Sequence, residues 1–129
     1  MSGEILATRK VLIADDNANI REVLTYLLED EGFELLAATD GNDTLRKVRE
    51  FRPDVLFLDI MMPEVNGYDI CRAIKSDPEL RGTYVIMLTA KGQAVEQERG
   101  RMAGADRYIV KPFSPMEILV ILKNLFAGK

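Results

Sequence analysis

Apolar residues along this chain come in two kinds of block. Short, mostly apolar runs, rich in branched and aromatic side chains, alternate with longer stretches in which apolar residues recur every three or four positions. The short runs cover residues 10–14, 33–38, 55–58, 84–88 and 107–110. The run at 55–58, without polar alternation, predicts a strand buried on both faces, as in a parallel sheet; 10–14 and 84–88 also read as buried strands, 107–110 reads as a fifth strand, and 33–38 is the weakest in pattern. The longer stretches place Ile20, Val23, Leu24, Leu27 and Leu28 on one stripe, Leu45 and Val48 on a second, and Ile70, Ala73 and Ile74 on a third. Ile118, Leu119, Ile121, Leu122, Leu125 and Phe126 form the last. These stripes predict helices. Residues 93–103 predict one more helix, but its apolar face is thin and Gly100 weakens it, so local stability there is low.

Punctuation falls where the blocks change. Asn17 can cap the first helix and Gly32 ends it, while Glu29-Asp30-Glu31 reads as solvated surface. Residues 39–43 form a turn cluster, and the second helix stops before Pro53. Pro63 forces a turn after the third strand. Asn66-Gly67 opens the third helix and Ser76-Asp77-Pro78 closes it. Ser114-Pro115-Met116-Glu117 combines an N-cap, a proline at the first helical position and a capping-box glutamate. Residues 1–8 read as a short, loosely ordered lead. Strand and helix thus alternate five times, which predicts an α/β fold: a flavodoxin-like (βα)5 doubly wound parallel sheet. The expected strand order is 2-1-3-4-5, with its switch point between the first and third strands.

Composition narrows the chemistry. The 129 residues predict a single domain spanning 1–129. No apolar run approaches membrane-span length and no signal-peptide layout opens the chain, so a cytoplasmic place with no membrane contact is expected. A net charge of −4 offers no basic field for direct nucleic-acid binding. There is no histidine, which removes histidine-based triads, histidine-ligated zinc and a phosphohistidine on this chain. Cys71 is alone, so it forms neither a disulfide framework nor a thiolate cluster, and it is expected on the inner face of a helix. Any metal would be held by oxygen, pointing to magnesium, calcium or manganese.

Four strands end abruptly in polar groups: the first in Asp15-Asp16, the third in Asp59, the fourth in Thr89, the fifth in Lys111. Taken singly, these have ordinary readings as a helix cap, a strand-end cap and a surface lysine before a turn proline. In a parallel sheet they share one rim, where open α/β sheets bind ligands. Three crowded carboxylates repel, and a hard divalent cation removes the conflict; magnesium suits best because it favours sites that also hold phosphate. Lys111 and Thr89 can each hold a phosphoryl oxygen, and aspartate is a nucleophile toward phosphorus. The chemistry suggested is phosphoryl transfer to Asp59.

With these residues in view, the chain resembles a response-regulator receiver domain of two-component signalling, with a core from about 9 to 126. The resemblance is carried by Val11-Leu12-Ile13-Ala14-Asp15-Asp16, by Asp54-Val55-Leu56-Phe57-Leu58-Asp59-Ile60-Met61-Met62-Pro63 with Gly67 beyond, by Val85-Ile86-Met87-Leu88-Thr89-Ala90, and by Gly104-Ala105-Asp106 through Lys111-Pro112-Phe113. The strand order given above is the one this resemblance implies.

The resemblance implies that Asp59 is the phosphoacceptor. It implies magnesium, with manganese as a substitute, on Asp16 and Asp59 directly, on Asp15 through water, and on the backbone carbonyl of Met61. It implies that Thr89 and Lys111 hold the phosphoryl group, that the Lys111-Pro112 bond is cis, and that Tyr108 is a switch aromatic coupled to Thr89. The face of the fourth helix, fifth strand and fifth helix would change for a partner to read. Implied partners are a sensor histidine kinase or histidine phosphotransfer protein and a downstream effector or an output domain outside this chain, with a homodimer on phosphorylation also allowed. The domain would catalyse its own phosphorylation and dephosphorylation as a switch rather than act as a turnover enzyme. Met61 and Lys91 stand at positions that tune aspartyl-phosphate lifetime in that family, and the resemblance implies that they shield the phosphoryl group from water; Tyr84 replaces a frequent proline.

Other classes fit less well. A nucleotide binder needs a glycine-rich turn after the first strand, and Asp15-Asp16-Asn17-Ala18-Asn19 has none. A flavin-binding flavodoxin would place a phosphate against these acids. An aspartate-nucleophile phosphohydrolase carries a second aspartate two residues after the first, where this chain has Met61. A receiver-like module that works without phosphorylation usually lacks one of the acids.

Overall fold

The computed structural model describes residues 9–62, 66–90 and 94–127, with side chains of 94–97 excepted. The expectations for the lead at 1–8, for Pro63 and for Lys91 lie outside the described residues. The elements are β1 (Lys10–Ala14), α1 (Ala18–Asp30), β2 (Glu34–Ala38), α2 (Gly41–Phe51) and β3 (Val55–Asp59). There follow α3 (Gly67–Ser76), β4 (Tyr84–Thr89), α4 (Ala94–Met102), β5 (Arg107–Val110) and α5 (Pro115–Ala127). The strands form one five-stranded, all-parallel sheet in the order β2-β1-β3-β4-β5, the expected one.

The sheet separates two apolar layers because successive strand side chains point to opposite faces. Leu12, Leu56, Leu58, Val85 and Met87 pack with Val48 of α2 and with Ile70, Cys71 and Ile74 of α3. Val11, Ile13, Phe57, Ile86 and Leu88 pack with Leu24 and Leu28 of α1 and with Ile118, Leu119 and Leu122 of α5. Every residue of the central strand β3 is buried, which is why its sequence shows no alternation. β2 is an edge strand that alternates exposed and half-buried positions, and this accounts for its weaker pattern.

Several local expectations are corrected. The second strand begins at Glu34, and Phe33 instead sets its ring 5.9 Å from that of Phe126. The turn cluster at 39–43 is the start of α2, with the Asp40 carboxylate accepting the Asp43 N–H at 2.8 Å. Ala73 faces solvent; the inward set on α3 is Ile70, Cys71 and Ile74. Val23 is 48% exposed, so the α1 stripe is narrower than expected. Cys71 is fully buried, and that burial pushes its thiol up to about 11, as befits a small hydrophobe. Asn17 caps α1 by accepting the N–H of Asn19 at 2.9 Å and of Ile20 at 3.3 Å. No helix among the described residues is long and apolar enough to cross a membrane.

Register then fixes the carboxyl rim. Ala14 is level with Leu58, Asp59 with Leu88, and Thr89 with Val110. Asp15, Asp59, Thr89 and Lys111 therefore arrive at one edge, on adjacent strands in the order β1, β3, β4 and β5.

Candidate functional site

Asp59 ends β3 and is 6% exposed. Asp15, just beyond β1, is fully buried, while Asp16 faces solvent. One carboxylate oxygen from each of Asp15, Asp16 and Asp59 lies within 4.8 Å of the others. Lys111 answers them with a single charge: its Nζ lies 2.8 Å from Asp15 Oδ2 and 3.7 Å from Asp59 Oδ1. Among the described residues, Lys111 is the one cation in ion-pair contact with these carboxylates. Burial pushes the Asp59 carboxyl up from its ordinary 3.8 to about 6, and the charge of Asp15 adds to that effect. The Met61 N–H, donated to Asp59 Oδ1 at 3.2 Å, and Lys111 only partly oppose it, while Asp16 pushes it further up.

The backbone holds these groups in place. Asp15 Oδ1 accepts the Asn17 N–H at 2.9 Å, so the same turn that caps α1 orients the carboxylate. Arg21 donates from Nη1 to the Asp15 carbonyl at 2.8 Å, a bracing role that sequence reasoning missed. Its only signal was a cation one turn into the helix after the acids. Gly67 donates its N–H to the Ile60 carbonyl at 2.9 Å. A Cβ there would meet Ile60 Cα at 2.8 Å and the Asp59 carbonyl oxygen at 2.9 Å, so only glycine lets α3 close on the loop after Asp59. Thr89 is buried at the end of β4, and its carbonyl accepts the Lys111 N–H at 2.6 Å. The Lys111-Pro112 peptide is cis.

The structure thus brings together Asp15, Asp16, Asp59, Thr89 and Lys111. Met61 contributes its N–H to Asp59, and its side chain is exposed. Tyr108 lies apart on β5, half-buried. Its ring is against α4: a Cβ on Gly100 would stand 3.0 Å from Tyr108 Cε2 and 3.2 Å from the Met87 sulfur. Gly100 was expected only to weaken its helix, whereas it is buried and makes room for this ring.

The cluster suits a hard divalent cation. All its donors are oxygens, they are close enough to share one ion, and the raised Asp59 carboxyl marks the charge that an ion would offset. Two recesses flank the cluster. One, of about 550 Å³, lies beside Lys111 and is largely apolar, with Ile20, Val23, Leu24 and Phe113 in its walls. The other, of about 260 Å³, lies beside Thr89 and Met61 and includes Arg99.

Comparison with known proteins gives a consistent picture. The family described as "Response regulator receiver domain" matches residues 11–123. The DNA-binding response regulator MtrA of Mycolicibacterium paratuberculosis is 43% identical over 111 residues, covering 86% of this chain and 48% of MtrA. Protein PilG of Pseudomonas aeruginosa is 40% identical over 114 residues, covering 88% of this chain and 84% of PilG. Among solved structures, the chemotaxis response regulator CheY4 of Vibrio cholerae superposes with a TM-score of 0.87 at 32% identity, covering 93% of this chain and all of that one. The chain therefore spans about half the length of relatives such as MtrA.

Proposed function

Since the chain belongs to the response regulator receiver domain family and so to two-component phosphorelay signalling, we propose that Asp59 is its phosphoacceptor. The observation that carries this reading is the buried, cation-poor Asp59 at the end of the central strand, with Lys111 beside it. The receiver unit spans 1–129 with its core at about 9–126. The phosphoryl donor is a sensor histidine kinase or a histidine phosphotransfer protein.

An Asp59 oxygen attacks phosphorus, and the P–N bond to the donor histidine breaks with its electron pair staying on nitrogen. Lys111 takes one phosphoryl oxygen and Thr89 donates its hydroxyl to another. Magnesium, or manganese in its place, would be held by Asp15, Asp16, Asp59 and the Met61 carbonyl, and supplies positive charge against the carboxylates and the phosphoryl oxygens. Burial of Asp59 keeps bulk water from the nucleophile. The domain is a switch that catalyses its own phosphorylation and dephosphorylation, not a turnover enzyme.

The output follows from two neighbours. Thr89, drawn to the phosphoryl group, changes the space beside Met87 and Tyr108. Tyr108 then shifts against Gly100, and the surface of α4, β5 and α5 changes. A downstream effector, an output domain on a longer chain, or a second copy of this chain reads that surface. No direct nucleic-acid or membrane contact is part of this reading, and the place of action is cytoplasmic.

The test is intact-mass spectrometry after incubation with acetyl phosphate. The expected result is a gain of one phosphoryl group that requires magnesium and disappears in Asp59→Asn. Labelling that persists in Asp59→Asn would assign the acceptor elsewhere. Inorganic phosphate released without stable labelling would favour a phosphohydrolase.

A further inference from the structure

Arg99 sits on α4, exposed, with its guanidinium carbon 4.4 Å from the centroid of the Tyr68 ring at the start of α3. Arg46, Arg52, Arg72 and Arg101 each lie beside a carboxylate. Among the described residues, Arg99 has no such ion pair. The Tyr68 ring holds this guanidinium in place, and the planar fork of N–H donors of a guanidinium suits a carboxylate or phosphate. The recess it lines also includes Thr89 and Met61, whose N–H is bonded to Asp59. This arginine therefore shares a recess with Thr89 and with Ile60 and Met61, which directly follow Asp59; the apolar recess beside Lys111 meets it at Ala90.

In phosphoryl transfer the entering and leaving atoms are roughly in line, so the leaving group departs outward from Asp59. Its charge depends on the donor. From an acyl phosphate, the P–O bond breaks and the electron pair leaves on a carboxylate, fully negative, with no proton moved. From a protonated phosphoramidate or phosphohistidine, the P–N bond breaks and the nitrogen leaves neutral. Only the first creates an anion where a second cation could act on the transition state.

We propose that Arg99 is an anion subsite for the carboxylate leaving group of acyl phosphates, separate from Lys111, which holds the phosphoryl group itself. This rests on the reading of Asp59 as acceptor. It makes the domain responsive to small-molecule acyl phosphates by a contact that a histidine donor does not use.

The experiment follows single-turnover labelling of the full chain by intact mass, with magnesium, using acetyl phosphate and phosphoramidate in parallel. Arg99→Gln is expected to lower the ratio of the acetyl phosphate rate to the phosphoramidate rate about tenfold, below the usual loss for one buried transition-state donor because the side chain is exposed. Arg99→Lys, which keeps the charge, is expected to recover most of that ratio. An unchanged ratio in Arg99→Gln, whether both rates fall together or neither falls, overturns the proposal and leaves Arg99 as a brace on Tyr68. Labelling of the parent by neither donor overturns the acceptor reading itself.

Discussion

At the amino-terminal rim of the sheet, Lys75 Nζ and Asp106 Oδ2 meet at 2.7 Å; at the carboxyl rim, Lys111 Nζ and Asp15 Oδ2 meet at 2.8 Å. Both pairs tie a helix or strand to its neighbours, yet their surroundings differ. Lys75 also donates to the carbonyl of Thr83 at 2.7 Å and of Arg81 at 3.2 Å, and Asp106 accepts the Val85 N–H at 2.8 Å. One charge meets one opposite charge, and the remaining polar capacity goes to backbone. Lys111 faces two buried carboxylates and an exposed third. The first network is satisfied without a ligand; the second is not. Satisfied networks fix a fold, whereas a crowded one holds charge ready for something absent from the chain.

Substitutions can break or sharpen that contrast. The largest effect is expected for Gly67→Ala at the crowded rim, because the new Cβ would press on the backbone of Ile60 and Asp59 rather than on a flexible side chain. A loss of about 3 kcal/mol in urea unfolding is expected, with magnesium affinity weakened as well. At the satisfied rim, Asp106→Ala takes the acceptor from the Val85 N–H and the counter-charge from Lys75. It is expected to cost about 2 kcal/mol while the magnesium affinity of the folded protein stays at the parent value. A matching fall in that affinity would mean that the two rims are not separate.

The smallest effect is expected for Gly100→Ala. The gain of about 1 kcal/mol in helix propensity is opposed by contact with the Tyr108 ring. Net stability should move by less than about 1 kcal/mol, while the Tyr108 ring resonances in an NMR spectrum shift. Unmoved resonances would remove Gly100 from the switch.

The crowded rim was largely legible in the sequence. Asp15, Asp59 and Thr89 each follow a buried run directly, Lys111 follows the edge strand β5 in which Ile109 alone is buried, and a parallel sheet sends all such ends to one side. The strand order was legible with help from family resemblance. The satisfied rim was not, because Lys75 reaches Asp106 only through the rotation of α3 against β4 and β5, which no local pattern encodes. Arg21 and Arg99 escaped for the same reason: a lone arginine on a polar helix face looks like solvated surface until a neighbour is placed beside it. The room Gly100 makes for Tyr108 was not legible, because helix propensity counts what glycine costs its own helix and not what it admits from β5. Ala73 was placed inward from spacing alone, where Cys71 holds that position.

The most direct measurement is unfolding free energy against pH, with and without magnesium, for the parent and Asp59→Asn. The Asp59 carboxyl is raised in the folded protein, so its contribution to stability is present below its ordinary 3.8 and is lost as pH rises through about 6. Without magnesium, Asp59→Asn should therefore match the parent near pH 4 and exceed it by about 2 kcal/mol at pH 7. Magnesium should stabilise the parent at pH 7 and stabilise Asp59→Asn much less. An Asp59→Asn protein no more stable than the parent at pH 7, together with a parent indifferent to magnesium, would contradict the view that this rim holds uncompensated charge for a cation and a phosphoryl group.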